Sequence, residues 1–169
     1  MCKKNCIKFC LIILSLTVIG CSYSFTGSSV PNHLKTIYIP FCNDRSGSGE
    51  PTLADDFTNS LIDQFIRDNS LSIQNNSKAD AILECTINSI PDIPAEIEAG
   101  ENVSVRKITI NARVIYKDLV KKKTVFDKTF SNYGEYVNSG DIFTNRKDAI
   151  DGAIKKITED IMLAVVSNW

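Results

Sequence analysis

The clearest strand pattern in the chain is Val103–Asp118, which reads VSVRKITINARVIYKD. Apolar side chains alternate along it with mostly polar ones. Because successive side chains of a β-strand point to opposite faces, this period of two predicts a strand with one buried face and one face in water. The predicted buried residues are Ile108, Ile110, Ala112, Val114 and Tyr116, and the predicted outer residues are Thr109, Asn111, Arg113 and Lys117.

The residues that follow extend this strand into a β-hairpin. Leu119–Lys122 is short enough for a tight connection, and Lys123–Phe130 is a second strand-forming stretch. Ser131–Thr144 contains Gly134 and Gly140 and is predicted to be a loop. The hairpin is therefore expected to end before this loop.

Three further strands are predicted upstream of the hairpin. They are Lys35–Phe41, Ser70–Gln74 and Ala79–Ile90. Asn43–Pro51 is rich in turn-forming residues and is predicted to be a loop. Pro91 and Pro94 are expected to interrupt the chain after the third strand. The acidic stretch beyond them, with Glu96, Glu98 and Glu101, is expected to be exposed.

Two amphipathic helices complete the pattern. The first, Thr52–Asn69, carries apolar residues at a four-residue spacing, and Thr52 and Asp55 are placed as in a capping box. The second is predicted to start after Asn145 as N-cap and to run close to Trp169. The predicted core stripes are Leu53, Phe57, Leu61 and Phe65 in the first helix, and Ile150, Ile154, Ile157, Ile161 and Val165 in the second.

The order of these elements, β-α-β-β-β-β-α, predicts an α+β fold. An amphipathic helix and a half-wet sheet each have one apolar face to bury, and they bury it against each other. We therefore expect a two-layer sandwich, with two amphipathic helices packed on a mostly antiparallel β-sheet.

The first 20 residues are predicted to be a signal peptide. Lys3, Lys4 and Lys8 form a basic start, and Phe9–Ile19 is almost wholly apolar. Eleven helical residues span only about 16 Å, roughly half of the hydrocarbon core of a bilayer. That length is too short for a stable membrane-spanning anchor and fits a signal peptide.

Val18-Ile19-Gly20-Cys21 resembles the bacterial lipobox, in which the cysteine thiol is lipidated and cleavage makes that cysteine the first residue. The alternative is a chance cysteine beside a plain signal peptide. Two or three acyl chains, such as palmitate, would anchor Cys21 permanently, because one chain alone binds a membrane only marginally. In enteric bacteria, an aspartate directly after the lipidated cysteine keeps a lipoprotein in the inner membrane. The residue at that position here is Ser22, which by this analogy favours the outer membrane. The predicted organisation is a signal peptide over 1–20, a lipidated tether over 21–34 and a single domain over 35–169.

Cleavage before Cys21 also changes the composition. It removes three of the 19 Lys and Arg residues and none of the 20 Asp and Glu residues, which leaves a formal charge near −4. Nucleic-acid-binding domains carry a basic excess, so this composition argues against that class. Only Cys42 and Cys85 then keep free thiols. An oxidising periplasm permits a disulfide between them, and two small buried cysteines are the alternative.

The mature sequence contains no motif for catalysis or metal binding. His33 is the one histidine, and a GxSxG elbow, a P-loop and clustered metal-ligand spacings are absent. The carboxylate pairs Asp55/Asp56 and Glu96/Glu98 suit a helix start and a solvated strand face, not the apolar setting of acid–base catalysis. We therefore expect no enzymatic activity, no cofactor and no metal.

Positive charge is concentrated at the tip of the predicted hairpin. Lys121, Lys122 and Lys123 are adjacent, and Lys117 lies just before them. Lysines act as point charges toward phosphate groups, so the cluster suits an anionic ligand. The simpler interpretation is a solvated turn whose charges discourage edge-to-edge strand pairing.

From end to end, the mature chain resembles the LptE family of lipopolysaccharide (LPS)-assembly lipoproteins, in the form found in Bacteroidota and related phyla. The matching pieces keep their order and spacing. They are CSYSF at Cys21–Phe25, IYIPF at Ile37–Phe41, NDR at Asn43–Arg45, LIDQFIRDN at Leu61–Asn69, ADAILE at Ala79–Glu84, YKDLVK at Tyr116–Lys121 and the closing helix to SNW at Ser167–Trp169.

The resemblance implies two helices on a four-stranded sheet and a non-catalytic partner of the outer-membrane β-barrel LptD. In that family the lipoprotein plugs the barrel, supports its assembly and contacts LPS. LPS is anionic, so the resemblance makes Lys117, Lys121, Lys122 and Lys123 candidate LPS contacts. Cys42 departs from the family, in which this position is usually not a cysteine. The contact positions of enterobacterial members are not carried over.

A second resemblance leads to a different class of function. The half from Ile37 to Thr86 also resembles the strand-helix-strand-strand units of lipoproteins that activate peptidoglycan synthases or build secretion pores. Such proteins are regulators or scaffolds without LPS contact. The tight Tyr116–Lys121 hairpin and the C-terminal Trp169 favour the LptE family over this alternative.

Overall fold

The structure is a computed structural model that describes residues 30–75, 78–96 and 105–167. Seven strands and two helices lie within these ranges. In chain order they are β1 (Thr36–Tyr38), β2 (Asn43–Asp44), α1 (Leu53–Asp68), β3 (Ser72–Ile73), β4 (Ala81–Ser89), β5 (Asp92–Glu96), β6 (Val105–Asp118), β7 (Lys123–Val137) and α2 (Ile142–Ser167). The predicted signal peptide, the lipobox with Cys21, Glu98, Glu101 and Trp169 lie outside the described residues.

The strands form one mixed sheet organised around β6. Strand β7 pairs antiparallel with β6 along its whole length. On the other edge of β6 lie β4 and then β5, both antiparallel. Strands β1 and β2 pair parallel with β4, and β3 pairs parallel with β1. The sheet is thus four columns wide, with β3 as a short fifth column, and its long pairings are antiparallel as predicted.

Both helices lie on one face of this sheet, which confirms the predicted two-layer α+β fold. The alternation in β6 is confirmed, because its five predicted apolar side chains are buried. The predicted stripes of both helices are buried as well. One continuous core joins them to the inward residues of β4, which are Ala81, Leu83, Cys85 and Ile87.

Strand β7 continues beyond the predicted boundary, so the loop predicted from Ser131 onward was wrong over its first half. Gly134 suggested a loop, yet it is a buried strand residue paired with Ile108. A Cβ atom at this position would lie 2.7 Å from the carbonyl carbon of Ala149 in α2. Gly134 is therefore the residue that lets helix and strand backbones approach closely, which is a second common use of glycine in strands.

Pro94 lies within a strand, although it was expected to interrupt the chain. Strand β5 pairs only with β6, opposite Val105–Ile108. Proline lacks an N–H donor and is tolerated where a strand needs hydrogen bonds on one side only. The sequence pattern around Pro91 and Pro94 was therefore a signal for an edge strand.

The helix ends also differ in detail from the prediction. The Thr52 side chain makes no capping hydrogen bond, so the predicted capping box is wrong, although the bounds of α1 are confirmed within one residue. Helix α2 begins at Ile142, because the Asp141 carboxylate caps it by accepting hydrogen bonds from the amide and the hydroxyl of Thr144, at 3.2 and 2.7 Å.

Asn145 is consequently a residue of the first turn of α2 and not its N-cap. Its side-chain amide donates instead to the carbonyl oxygens of Val137 and Ser139, at 3.1 and 3.0 Å. The side chain thus fastens the end of β7 to the start of α2.

Candidate functional site

The lysine tip, defined as Lys121, Lys122 and Lys123, closes the β6–β7 hairpin. Asp118 ends β6, and its carboxylate accepts a hydrogen bond from the Lys121 amide at 2.8 Å. Lys122 has a φ of 52°, the left-handed conformation that lets the chain reverse. All three lysines are exposed. The sequence prediction that these three charges meet at one tip is confirmed by the placement of the turn.

Lys117 is held apart from the lysine tip. Its ammonium group donates to the Glu84 carboxylate at 2.6 Å, across the β4–β6 pairing. This ion pair lies on the face of the sheet opposite the helices. The positive charge of Lys117 is therefore largely committed within the protein, unlike the charges of the lysine tip.

Asp118 is a fully buried carboxylate that supports the tip from below. His33 donates from Nε2 to its other oxygen at 2.8 Å. Burial raises the pKa of Asp118, but the hydrogen bonds from His33 and from the Lys121 amide outweigh burial and lower it. Asp118 is thus held ionised while it ties the hairpin turn to the chain segment before β1.

Asp80 makes a second connection at the same end of the molecule. Its carboxylate accepts hydrogen bonds from the amides of Lys35 and Thr36, at 2.8 and 3.0 Å, and these bonds lower its pKa. Its carbonyl oxygen accepts from the Leu119 amide at 2.8 Å. The segment just before β1 is therefore held next to the lysine tip. Leu34 is already in the core there.

The face of the sheet away from the helices, here called the open face, is polar. Arg113 donates to both carboxylate oxygens of Asp127, at 2.8 and 2.6 Å. Asn111 donates to Ser89 at 3.0 Å, and the Lys107 ammonium lies 4.0 Å from the centroid of the Tyr133 ring. Within the described residues, no helix or loop covers these side chains. The open face thus carries paired polar side chains together with partly exposed apolar ones such as Ile82 and Ile115.

A group of charged residues at the other end of the sheet was not predicted from the sequence. Asp92 of β5 accepts hydrogen bonds from Arg106 of β6, Tyr136 of β7 and Arg146 of α2, at 2.8, 2.8 and 3.2 Å. Burial raises the pKa of Asp92, but these three bonds outweigh it and lower the pKa. Arg146 also pairs with Glu50. This cluster fastens the edge strand to both layers, and an arginine at an inward position of β6 was its signal in the sequence.

Metal-binding groups, membrane-spanning helices and the Asp55/Asp56 carboxylate pair were the other features to locate in the described ranges. These ranges contain no group of three or more His, Cys, Asp or Glu residues placed to hold a metal ion. None of their helices is long and apolar enough to cross a membrane. Asp55 and Asp56 occupy the first turn of α1, where a helix favours negative charge.

Comparison with known proteins identifies the family. A sequence model described as LptE, lipopolysaccharide-assembly, matches residues 34–165 of this chain. The chain belongs to the LptE family. This is a family of non-catalytic lipoproteins, so the family match agrees with the resemblance drawn from the sequence. Among curated proteins, none matches the chain in sequence.

Solved structures share the fold of this LptE-family chain at low sequence identity. A hypothetical protein from Chlamydia trachomatis is 9% identical, with a TM-score of 0.60 and coverage of 80% of this chain and 97% of its own. A protein from Xanthomonas campestris is 14% identical, with a TM-score of 0.59 and coverage of 82% and 87%. A minor lipoprotein from Acinetobacter baumannii is 10% identical, with a TM-score of 0.55 and coverage of 79% and 94%.

Proposed function

We propose that this protein is an outer-membrane lipoprotein that partners an LptD-type β-barrel. It supports assembly of the barrel, plugs it, and contacts LPS as LPS is inserted into the outer membrane. The observation that carries the proposal is the family match over residues 34–165, which covers nearly all of the described domain. The protein acts by binding and not by catalysis.

The open face supports a position inside a barrel. The lumen of an outer-membrane barrel is polar, whereas its apolar band faces the lipid. A plug needs a hydrophilic surface whose enclosure in the lumen costs little free energy of desolvation. On the open face the pairs Arg113–Asp127 and Lys117–Glu84 neutralise each other within the protein. These two pairs therefore bring no net charge into the lumen.

The lysine tip supports a contact with LPS. Its three ammonium groups are exposed, and the structure gives them no intramolecular carboxylate partner among the described salt bridges. LPS carries anionic phosphates, which such point charges attract in a salt-sensitive way. Lys117 contributes less in this proposal, because Glu84 already holds it.

The partner is tested by affinity purification. Tagged full-length protein is recovered from detergent-solubilised envelopes, and the co-purified proteins are identified by mass spectrometry. We expect a large outer-membrane β-barrel as the main partner. Recovery of a peptidoglycan synthase or a secretion-pore subunit in its place would overturn the proposal in favour of the regulator or scaffold alternative.

The LPS contact is tested by reversing charge at the tip. The triple variant Lys121→Glu, Lys122→Glu, Lys123→Glu should weaken binding of purified protein to LPS at low salt. The matched control is Lys128→Glu, Lys147→Glu, Lys155→Glu, which changes the total charge equally on exposed sites elsewhere. Equal binding by the two variants would show that the lysine tip is a solvated turn and not an LPS contact.

The anchor is tested at Cys21. We propose that this residue is acylated, so Cys21→Ser should remove the lipid mass and shift the protein from the detergent phase to the aqueous phase in phase separation. A variant that partitions like the wild type would refute lipidation at Cys21.

A further inference from the structure

Two cysteines that the sequence left unassigned lie opposite each other in the sheet. Strands β2 and β4 pair in parallel, with Asn43 opposite Thr86 and Asp44 opposite Ile87. One step back along the same register places Cys42 opposite Cys85. Neighbouring strands are about 4.8 Å apart, and a disulfide joins Cα atoms that are roughly 4.4–6.8 Å apart. The backbone thus already has a spacing that a disulfide requires.

The side chains also point to the same place. Cys42 is 0% exposed and Cys85 is 5% exposed, and both belong to the core between the sheet and α1. The two thiols are free in this structure, and the influence of Cys42 together with burial raises the pKa of Cys85. The amide of Cys42 is held by the Thr58 hydroxyl of α1 at 3.0 Å, which fixes the backbone at this point.

We propose that Cys42 and Cys85 form a disulfide in the mature protein. The S–S bond forms as both S–H bonds break, and the two protons pass together with the two electrons to the oxidant. The two electrons reduce a disulfide-bearing oxidant to its dithiol form by thiol–disulfide exchange. The inference rests on the proposed function for the location of the protein. Disulfides form in the oxidising cell envelope, where such an oxidant acts on a secreted chain.

The bond forms during folding and not after it. The attacking species in thiol–disulfide exchange is the thiolate. In the folded protein, the hydrogen bond with Cys42 and burial raise the pKa of Cys85, so the thiolate is disfavoured. Both thiols are also inaccessible to an oxidant in the folded state. Oxidation therefore takes place while the chain is still open.

The disulfide would close the segment that contains α1 and β3 into a covalent loop. These two elements connect β2 to β4, and α1 packs over the cysteine pair. A link across a loop of this size restricts the unfolded chain more than the folded one. The bond would therefore stabilise the α1 half of the domain without altering the open face or the lysine tip.

The test starts from mature protein purified from cell envelopes, without the predicted signal peptide, which is reduced and unfolded in denaturant and refolded by dilution into a mixture of reduced and oxidised glutathione. Free thiols are then alkylated and the protein is digested with trypsin. We expect a disulfide-linked pair of peptides, Thr36–Arg45 joined to Ala79–Arg106. Alkylated Cys42 and Cys85 in most molecules after this refolding would overturn the pairing.

The same peptide analysis on protein alkylated directly in cell envelopes separates the two proposals. A linked pair in cells supports both the disulfide and the envelope location. If the pair links on refolding but stays reduced in cells, the disulfide does not form in the living cell, and the result counts against the envelope location. Recovery of the barrel by affinity purification still tests the proposed partner independently.

A stability measurement completes the test. A thiol reductant should lower the midpoint of thermal unfolding of the linked protein by about 10 °C. The matched control is the double variant Cys42→Ala, Cys85→Ala, whose midpoint should not respond to reductant. Equal responses of the two proteins would show that the bond does not stabilise the fold.

Discussion

The covered and the open faces of the sheet are built from alternate residues of the same strands. In β4, Leu83 is buried under the helices, whereas its neighbour Glu84 lies on the open face and pairs with Lys117. The covered face is close-packed, so each atom there has fixed neighbours. On the open face, the paired side chains remain a third to a half exposed and can rearrange in water. The covered face therefore carries stability, and the open face is free to carry binding.

The largest expected effect is at Gly134 on the covered face. In Gly134→Val, the new side chain would meet the backbone of Ala149, which cannot rotate away. We expect a loss of about 4 kcal/mol or more in the free energy of unfolding, above the usual range for overpacking. Chemical denaturation measures this loss.

Gly152 in α2 is the matched control, because a Cβ atom there meets nothing within 4 Å. Gly152→Ala should be neutral or stabilising by up to about 1 kcal/mol. If both glycines tolerate substitution equally, the close approach of α2 to β7 does not control the packing.

The second effect compares neighbours in β4. Leu83→Ala removes a fully buried side chain and should cost about 3 kcal/mol. Ile82→Ala changes the adjacent, partly exposed residue on the open face and should cost less than half as much. Urea unfolding of both variants tests the comparison, and equal losses would mean that the open face is covered in solution.

The third effect is the pH dependence of Asp118. Because its folded-state pKa is lowered, its contribution to stability is present above the ordinary carboxyl pKa of about 4 and is lost as the pH falls through the lower folded value. Asp118→Asn should cost about 1–2 kcal/mol at pH 7, since His33 and the Lys121 amide lose a charged acceptor.

The difference between Asp118→Asn and the wild type should shrink below pH 4, where the wild-type carboxylate takes up a proton. Unfolding curves recorded from about pH 2.5 to about pH 7, on both sides of the ordinary carboxyl pKa, measure this change. A constant difference across that range would mean that the charge of Asp118 is not what stabilises the tip.

The smallest effect is at Asp127 on the open face. Arg113 and Asp127 form a two-bond pair, but their side chains are 53% and 40% exposed. Water and salt screen such a pair, so Asp127→Asn should leave the denaturation midpoint close to that of the wild type, and added salt should remove any difference. A loss comparable with that of Asp118→Asn would show that the open face also carries stability.

The lysine tip and its surroundings differ in how far the sequence could predict them. The adjacency of Lys121, Lys122 and Lys123 and the tight turn around them were readable directly. The buried Asp118 was not, because an acidic residue at the end of an alternating strand also suits a solvated turn. Its partner His33 lies 85 residues away in the chain, and no local pattern connects two residues at that separation.

The long strands, both helices and the two layers of this protein could be predicted from the sequence, whereas β2, at the start of the predicted Asn43–Pro51 loop, and β5 were not predicted as strands. The period of two in β6 and the four-residue spacing in both helices assign each side chain to a buried or a wet face, because that assignment depends only on local backbone geometry. The family resemblance, carried by short pieces in a fixed order, was likewise contained in the sequence, and the match over residues 34–165 confirmed it.

The roles of the residues that break these patterns depend on the tertiary structure. Gly134 and Pro94 look like loop residues locally, yet one permits a helix to approach and the other occupies a sheet edge. The opposition of Cys42 and Cys85 arises from the register of β2 on β4. Each of these roles depends on a neighbour that is distant in the chain, and such neighbours are fixed by packing and pairing, not by local conformational preference.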